Sequence, residues 1–141
     1  MAQLTVVATP IGNLGDLSPR AAEALLAADF WIVEDSRVSG KLMSHLGIKK
    51  PMRVLNDHTR PELVEKMASE IGAGSNAALL SDAGTPLVSD PGVELIEACL
   101  KNGCDIDAIP GPSAVAPALS ISGFNAQRYA FLGYPPRKPG P

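Results

Sequence analysis

The sequence predicts an α/β domain: a mostly parallel sheet of five strands, or slightly more, with helices on both faces. Two observations predict it. Short apolar runs rich in β-branched residues alternate along the chain with segments of helical periodicity, the pattern of strand–helix–strand units. The 13 glycines and 13 prolines cluster at the junctions between those segments rather than scattering through them. No internal repeat is present, and right-handed crossovers are expected.

Leu4 to Ala8 reads as the first strand. Ser18-Pro19 offers a cap followed by proline at the first helical position, and Ala21, Ala22, Leu25 and Leu26 lay an apolar stripe on the helix. Phe30 to Val33 is a second strand ending in Glu34-Asp35. Ser39 to Leu46 reads as a helix stopped by Gly47. Arg53 to Leu55 is a third, short strand. Pro61 opens a helix with Leu63, Met67 and Ile71 four apart and Val64 and Ala68 beside them, ended by Gly72 and Gly74. Ala77 to Leu80 is a fourth strand. Gly92 to Asn102 is a helix with Val93, Ile96 and Leu100 on one side and Gly103 as its stop. Ile106 to Ile109 is a fifth strand. Ser113 caps a last helix of small residues, interrupted or started late by Pro117, and Tyr129 to Leu132 is a candidate further strand. Residues 1–133 form the domain, and 134–141, rich in proline, have the composition of a linker.

The 141 residues suffice for one domain with a real core. A hydrophobic fraction of 45% and a charged fraction of 19% suit a folded chain rather than a disordered one. The formal net charge of −3 argues against a stand-alone nucleic-acid binder, so any RNA contact needs a local patch, a partner subunit or a further segment. Cys99 and Cys104 fit no metal-ligand spacing and read as reduced thiols. No Cys/His/Asp cluster suggests a metal, and His45 and His58 read as structural or exposed. There is no basic leader and no apolar stretch of membrane-spanning length. The expected compartment is the cytoplasm.

Ligands of open parallel sheets bind beyond the carboxyl ends of the strands. There the first strand delivers Thr9-Pro10-Ile11-Gly12-Asn13-Leu14-Gly15-Asp16. Gly12 and Gly15 lack the third glycine of a dinucleotide fingerprint, and the helix begins only at Ser18, so a nicotinamide site is not expected. The fourth strand delivers Ser81-Asp82-Ala83-Gly84-Thr85-Pro86-Leu87-Val88-Ser89-Asp90-Pro91-Gly92. Glycine admits a ligand close to the backbone, prolines stiffen the loop before binding, and carbonyls and carboxylates suit a cation. The fifth delivers Pro110-Gly111-Pro112-Ser113, a rigid turn with a hydroxyl and free N–H groups at a helix start. Glu34-Asp35 with Arg37 is either a solvated turn or a pair of carboxylates for proton handling.

These loops, in this order, resemble the tetrapyrrole methylase superfamily, and within it the branch that methylates the ribose 2′-hydroxyl of a cytidine in small-subunit ribosomal RNA. The likeness rests on Thr9–Leu14, Glu34–Arg37, Ser81–Gly92 and Pro110–Ala114. Ser36 stands where that family commonly has threonine, and Thr59 where asparagine is usual. The resemblance implies S-adenosyl-L-methionine as cofactor, held between this domain and a second one absent from this chain, so the fragment alone is expected to be inactive. It implies Ile11, Gly12, Asp82, Gly84, Thr85, Val88, Ser113 and Ala114 in the cofactor wall, and it implies a homodimer. For the transfer, Asp35 and Glu34 are the candidate proton acceptors, and Arg37 the candidate phosphate contact. The alternatives are a corrin or porphyrin methyltransferase of the same superfamily, and a non-catalytic nucleotide-binding module.

Overall fold

The computed structural model describes residues 3–88 and 92–138. Five strands, β1 (Leu4–Val7), β2 (Phe30–Val33), β3 (Met52–Val54), β4 (Ala77–Leu79) and β5 (Ile106–Ile109), form one sheet of order β3-β2-β4-β1-β5. Every pairing is parallel, with Leu4 against Ala77 and Ile106, and Trp31 against Ala78 and Met52. The predicted α/β class is the observed one.

Alternation along the inner strands builds two cores. Leu4, Val6, Phe30, Ile32, Ala77 and Leu79 point to one face, beneath α3 (Pro61–Gly72) and α4 (Val93–Lys101). Val7, Trp31, Val33, Ala78 and Leu80 point to the other, beneath α1 (Pro19–Ala27) and α2 (Ser36–Leu46). Both faces being covered explains why β2 and β4 are apolar at every position. The two cysteines are free and buried in the first core, and burial pushes the Cys99 thiol up to about 12. Among the described residues, no group of His, Cys, Asp or Glu is arranged to hold a metal, and no helix is long and apolar enough to cross a membrane.

The sequence places most elements within a few residues. Ser18 caps α1 by accepting from Ala21 N–H at 3.0 Å, with Pro19 in the first turn. Gly47 at φ 67° closes α2, and Gly103 at φ 71° follows α4, both in the left-handed region that favours glycine.

The differences have physical reasons. α2 begins at Ser36, three residues before the predicted start, because Asp35 caps it. Leu26, Leu63, Val93 and Leu100, all assigned to core stripes, are exposed. In α4 the buried residues are Leu95, Ala98 and Cys99: two neighbouring columns are apolar, and the sheet covers only one. The last helix, α5 (Val115–Ile121), has Ala114 rather than Ser113 at its cap position and no side-chain cap. Pro117 is tolerated because it lies in the first turn, where backbone N–H groups have no helical partner. Tyr129–Leu132 forms no strand, and β5 stands at the edge of the sheet.

Candidate active site

The loops leaving β1, β4 and β5 are locked together above the centre of the sheet. Thr9 and Gly84 exchange both backbone hydrogen bonds, each at 3.0 Å, in a one-rung antiparallel bridge. The Thr85 hydroxyl donates to the Pro112 carbonyl at 3.3 Å. The Ser81 hydroxyl turns back onto its own loop, donating to Ala83 O at 3.2 Å. Gly111 sits so close to β1 that a Cβ there would lie 2.9 Å from the Ala8 Cβ. Gly84 has φ +80°, and its missing Cβ would meet Ile11 Cγ2 at 3.4 Å and Pro112 O at 3.6 Å. Leu87 holds φ 75°, a left-handed conformation that a non-glycine residue adopts at a cost of order 1–3 kcal/mol. Rigid, strained backbone of this kind is what a preorganised ligand loop requires.

A cavity of about 400 Å³ opens where the three loops meet. Ile11, Gly84, Thr85, Val88, Ser113 and Ala114, all named from the sequence as cofactor residues, line it. Ala83, Val115, Phe131, Gly133 and Tyr134 complete the wall. Sequence reading assigns the last three no site role: Phe131 falls in the candidate strand Tyr129–Leu132, and Gly133 and Tyr134 lie where the domain passes into the linker. Gly12 and Asp82 stand elsewhere. They line a second cavity of about 460 Å³, between the β1 loop and the first turns of α2. Thr9 borders this second cavity and Gly84 the first, so the bridge between them is the shared wall. Ser89, Asp90 and Pro91 of the β4 loop lie outside the described residues.

At the end of β2, Asp35 caps α2 by accepting from Arg37 N–H at 2.9 Å, and Arg37 Nε and Nη2 grip the same carboxylate at 3.1 and 2.8 Å. These contacts, the Arg37 guanidinium above all, hold the Asp35 carboxyl down at about 2. Arg37 itself projects outward, its side chain 88% exposed. Glu34 lines a small gap with Leu80, Ser81 and Pro86, next to the β4 loop. A carboxyl whose folded value lies below its ordinary 3.8 stabilises the fold above that ordinary value, and the contribution is lost as pH falls through about 2. Asp35→Asn keeps a competent cap but removes the charge. It is therefore expected to melt lower than the parent at neutral pH, with the gap closing as acid is added. A gap that widens in acid would contradict this assignment.

The β3 loop serves another place. Asn56 N–H donates to the Thr59 hydroxyl at 2.9 Å, and His58 N–H to Asn56 Oδ1 at 2.9 Å, which shapes a tight turn. Asn56, Asp57 and Thr59 border a separate cavity against α3 and α4. Thr59 thus has a turn-forming role, and His58 is exposed.

Residues 3–131 match the family model described as Tetrapyrrole (Corrin/Porphyrin) Methylases. The chain belongs to that family. The ribosomal RNA small subunit methyltransferase I of Xylella fastidiosa is 46% identical over 136 residues, covering 96% of this chain and 50% of that protein. The protein of the same name from Haemophilus influenzae is 46% identical over 135 residues, covering 96% of this chain and 48% of that protein. The one from Thermotoga maritima is 38% identical over 137 residues and is itself covered to 62%. The chain thus spans about half the length of most curated relatives it matches. Among solved structures, the uroporphyrin-III-C-methyltransferase of Thermus thermophilus superposes with a TM-score of 0.62 at 21% identity, over 89% of this chain and 53% of that one, a likeness of fold.

Within this methylase domain, Gly84 is a lining position with little room for change. A side chain there must adopt a left-handed conformation costing roughly 1–2 kcal/mol and must press on Ile11 and Pro112. Gly84→Ala is therefore expected to destabilise the domain by roughly 1–2 kcal/mol. Urea unfolding of parent and variant checks it, and an unchanged midpoint would mean that the loop relaxes around the added methyl group.

Proposed function

We propose that this chain is one wall of an S-adenosylmethionine-dependent methyltransferase that modifies a cytidine ribose 2′-hydroxyl in small-subunit ribosomal RNA. The observation that carries the reading is the cavity joining the β1, β4 and β5 loops in a tetrapyrrole methylase domain. Its lining suits an adenosyl cofactor: small residues at Ala83, Gly84 and Ala114 leave room for a flat base, Ile11, Val88 and Phe131 offer apolar surface, and Ser113 and Thr85 bring polar groups. The names borne by relatives at 46% identity support ribosomal RNA as the substrate.

The cofactor, when bound, supplies an electrophilic methyl group on its sulfonium. The protein's work is to hold the acceptor oxygen in line and exclude water. A ribose hydroxyl is a poor nucleophile until a base takes its proton. Of the two adjacent carboxylates at the end of β2, we assign that role to Glu34. Asp35 has both oxygens engaged by Arg37 and a lowered proton affinity, so it positions Arg37. The exposed guanidinium keeps further N–H donors for an RNA phosphate.

The first cavity is lined in part by the start of α5 and by the tail, and along these segments Ile121, Phe124, Leu132 and Tyr134 are each more than four-fifths exposed. Bare apolar surface of this kind marks an interface. It supports a second domain, beginning beyond a linker at 134–141, as the opposite wall, and a homodimer as the working unit. Calorimetry of this chain with S-adenosylmethionine should accordingly show weak binding, and tight one-to-one binding would make the second wall dispensable. The function itself is tested in cells lacking the gene. Their small-subunit RNA should be missing one 2′-O-methylcytidine, and an intact set of ribose marks would overturn the proposal. An altered tetrapyrrole profile instead would favour methylation of a corrin or porphyrin.

A further inference from the structure

The second cavity lies across the Thr9–Gly84 bridge from the proposed cofactor seat and contains polar groups that the fold leaves unused. The Ser39 side chain is buried, the residue only 2% exposed, and its hydroxyl has no hydrogen-bond partner. A buried hydroxyl without a partner is costly to maintain, and this one borders a cavity rather than packed core. Lys41, two residues further along α2, and Asp82, from the β4 loop, are the two charged residues of the lining. Neither takes part in the ion pairs found among the described residues, Arg37–Asp35 and Arg53–Glu70. At Gly12 the space where a Cβ would sit is open to 4 Å. A cation, a carboxylate, a hydroxyl and bare backbone in one pocket match a sugar phosphate better than an apolar ligand or a simple anion.

We propose that this cavity seats the sugar-phosphate of the target nucleotide, with Lys41 meeting the phosphate, Ser39 and Asp82 meeting the sugar, and the ribose 2′-hydroxyl directed past Leu80 and Ser81, which border both this cavity and the gap that holds Glu34. The inference rests on the reading of the first cavity as the cofactor seat. It reassigns Asp82 from the cofactor wall to the substrate side, and it explains why the sequence motif carrying Asp82 and Gly84 faces two ways. A nucleotide held there stands one backbone rung away from the methyl donor.

The chain is small enough for residue-resolved NMR, which reads binding without turnover. Millimolar cytidine 5′-monophosphate should move the amides of Gly12, Asn13, Ser39 and Lys41. S-adenosylmethionine should move those of Ile11, Gly84, Thr85 and Ala114. Lys41 is exposed, so Lys41→Gln should fold normally and weaken the nucleotide about two- to fivefold, the size of one solvent-exposed charge contact. Ser39→Ala should weaken cytidine as well as its monophosphate, whereas Lys41→Gln should leave cytidine unaffected. If the nucleotide leaves the second cavity's amides in place, or shifts only those of the first, the inference falls and the cofactor reading stands. If S-adenosylmethionine shifts none of the first cavity's amides, the cofactor reading itself fails.

Discussion

Glu34→Gln, in a form of the enzyme that carries both walls, is expected to lower turnover by about 10²–10⁴-fold, the usual contribution of a positioned general base. Glutamine keeps the shape and much of the hydrogen bonding of glutamate but cannot take the ribose proton. Affinity for S-adenosylmethionine should stay within experimental error, because Glu34 borders the Leu80–Ser81 gap and not the cavity proposed for the cofactor. The pH profile separates a base from a merely structural residue: the acidic limb of the parent's rate profile should vanish in the variant. Asp35→Asn should lose far less turnover, since its carboxylate is already committed to Arg37 and to the start of α2. Equal losses in the two variants, or a parallel loss of cofactor affinity in Glu34→Gln, would show that the β2 end builds the site instead of moving a proton.

The largest effect on stability is expected at Trp31. Its side chain is fully buried in the core beneath α1 and α2, against Leu25, Leu42 and Leu80. The indole N–H donates to the Leu25 carbonyl at 3.0 Å. That carbonyl belongs to the last turn of α1, where carbonyls have no helical donor. One side chain therefore both fills the core and closes the helix. Trp31→Ala should cost about 3–5 kcal/mol, the range for deleting a large buried aromatic, out of the roughly 5–15 kcal/mol by which domains are stable. Trp31→Phe keeps most of the apolar bulk but strands the Leu25 carbonyl, and should cost about 1–3 kcal/mol. Urea unfolding of the three proteins measures both. A loss below about 1 kcal/mol for Trp31→Ala would mean that the core recloses around the gap.

Much of this molecule is legible in its sequence because local physics decides it. Phe30-Trp31-Ile32-Val33 has nothing but large apolar side chains in four positions, which suits a strand covered on both sides. Ser18-Pro19, Gly47 and Gly103 mark helix ends through a cap hydroxyl, a fixed φ and freedom at positive φ. The loop at Ser81–Gly92 holds too many stiff and polar residues for a plain turn, and it does border both cavities. The family resemblance drawn from those loops agrees with the family match over residues 3–131.

What stayed hidden depends on neighbours distant in the chain. Periodicity marks α4 as amphipathic, but Val93, Ile96 and Leu100 make as good a stripe as Leu95, Ala98 and Cys99. The sheet and α3 decide which one is buried. Glu34 and Asp35 are adjacent in sequence, and a string of letters does not reveal that Asp35 both starts α2 and grips Arg37. The eight residues named as one cofactor wall are divided between two cavities because Thr9 pairs with Gly84, two residues 75 positions apart. Residue types, turn stiffness and helix ends are set by the chain itself, whose steric and hydrogen-bonding preferences act over a few positions. Which side of a loop meets which ligand is set only when the sheet brings β1 between β4 and β5, because that pairing builds the wall between the two cavities.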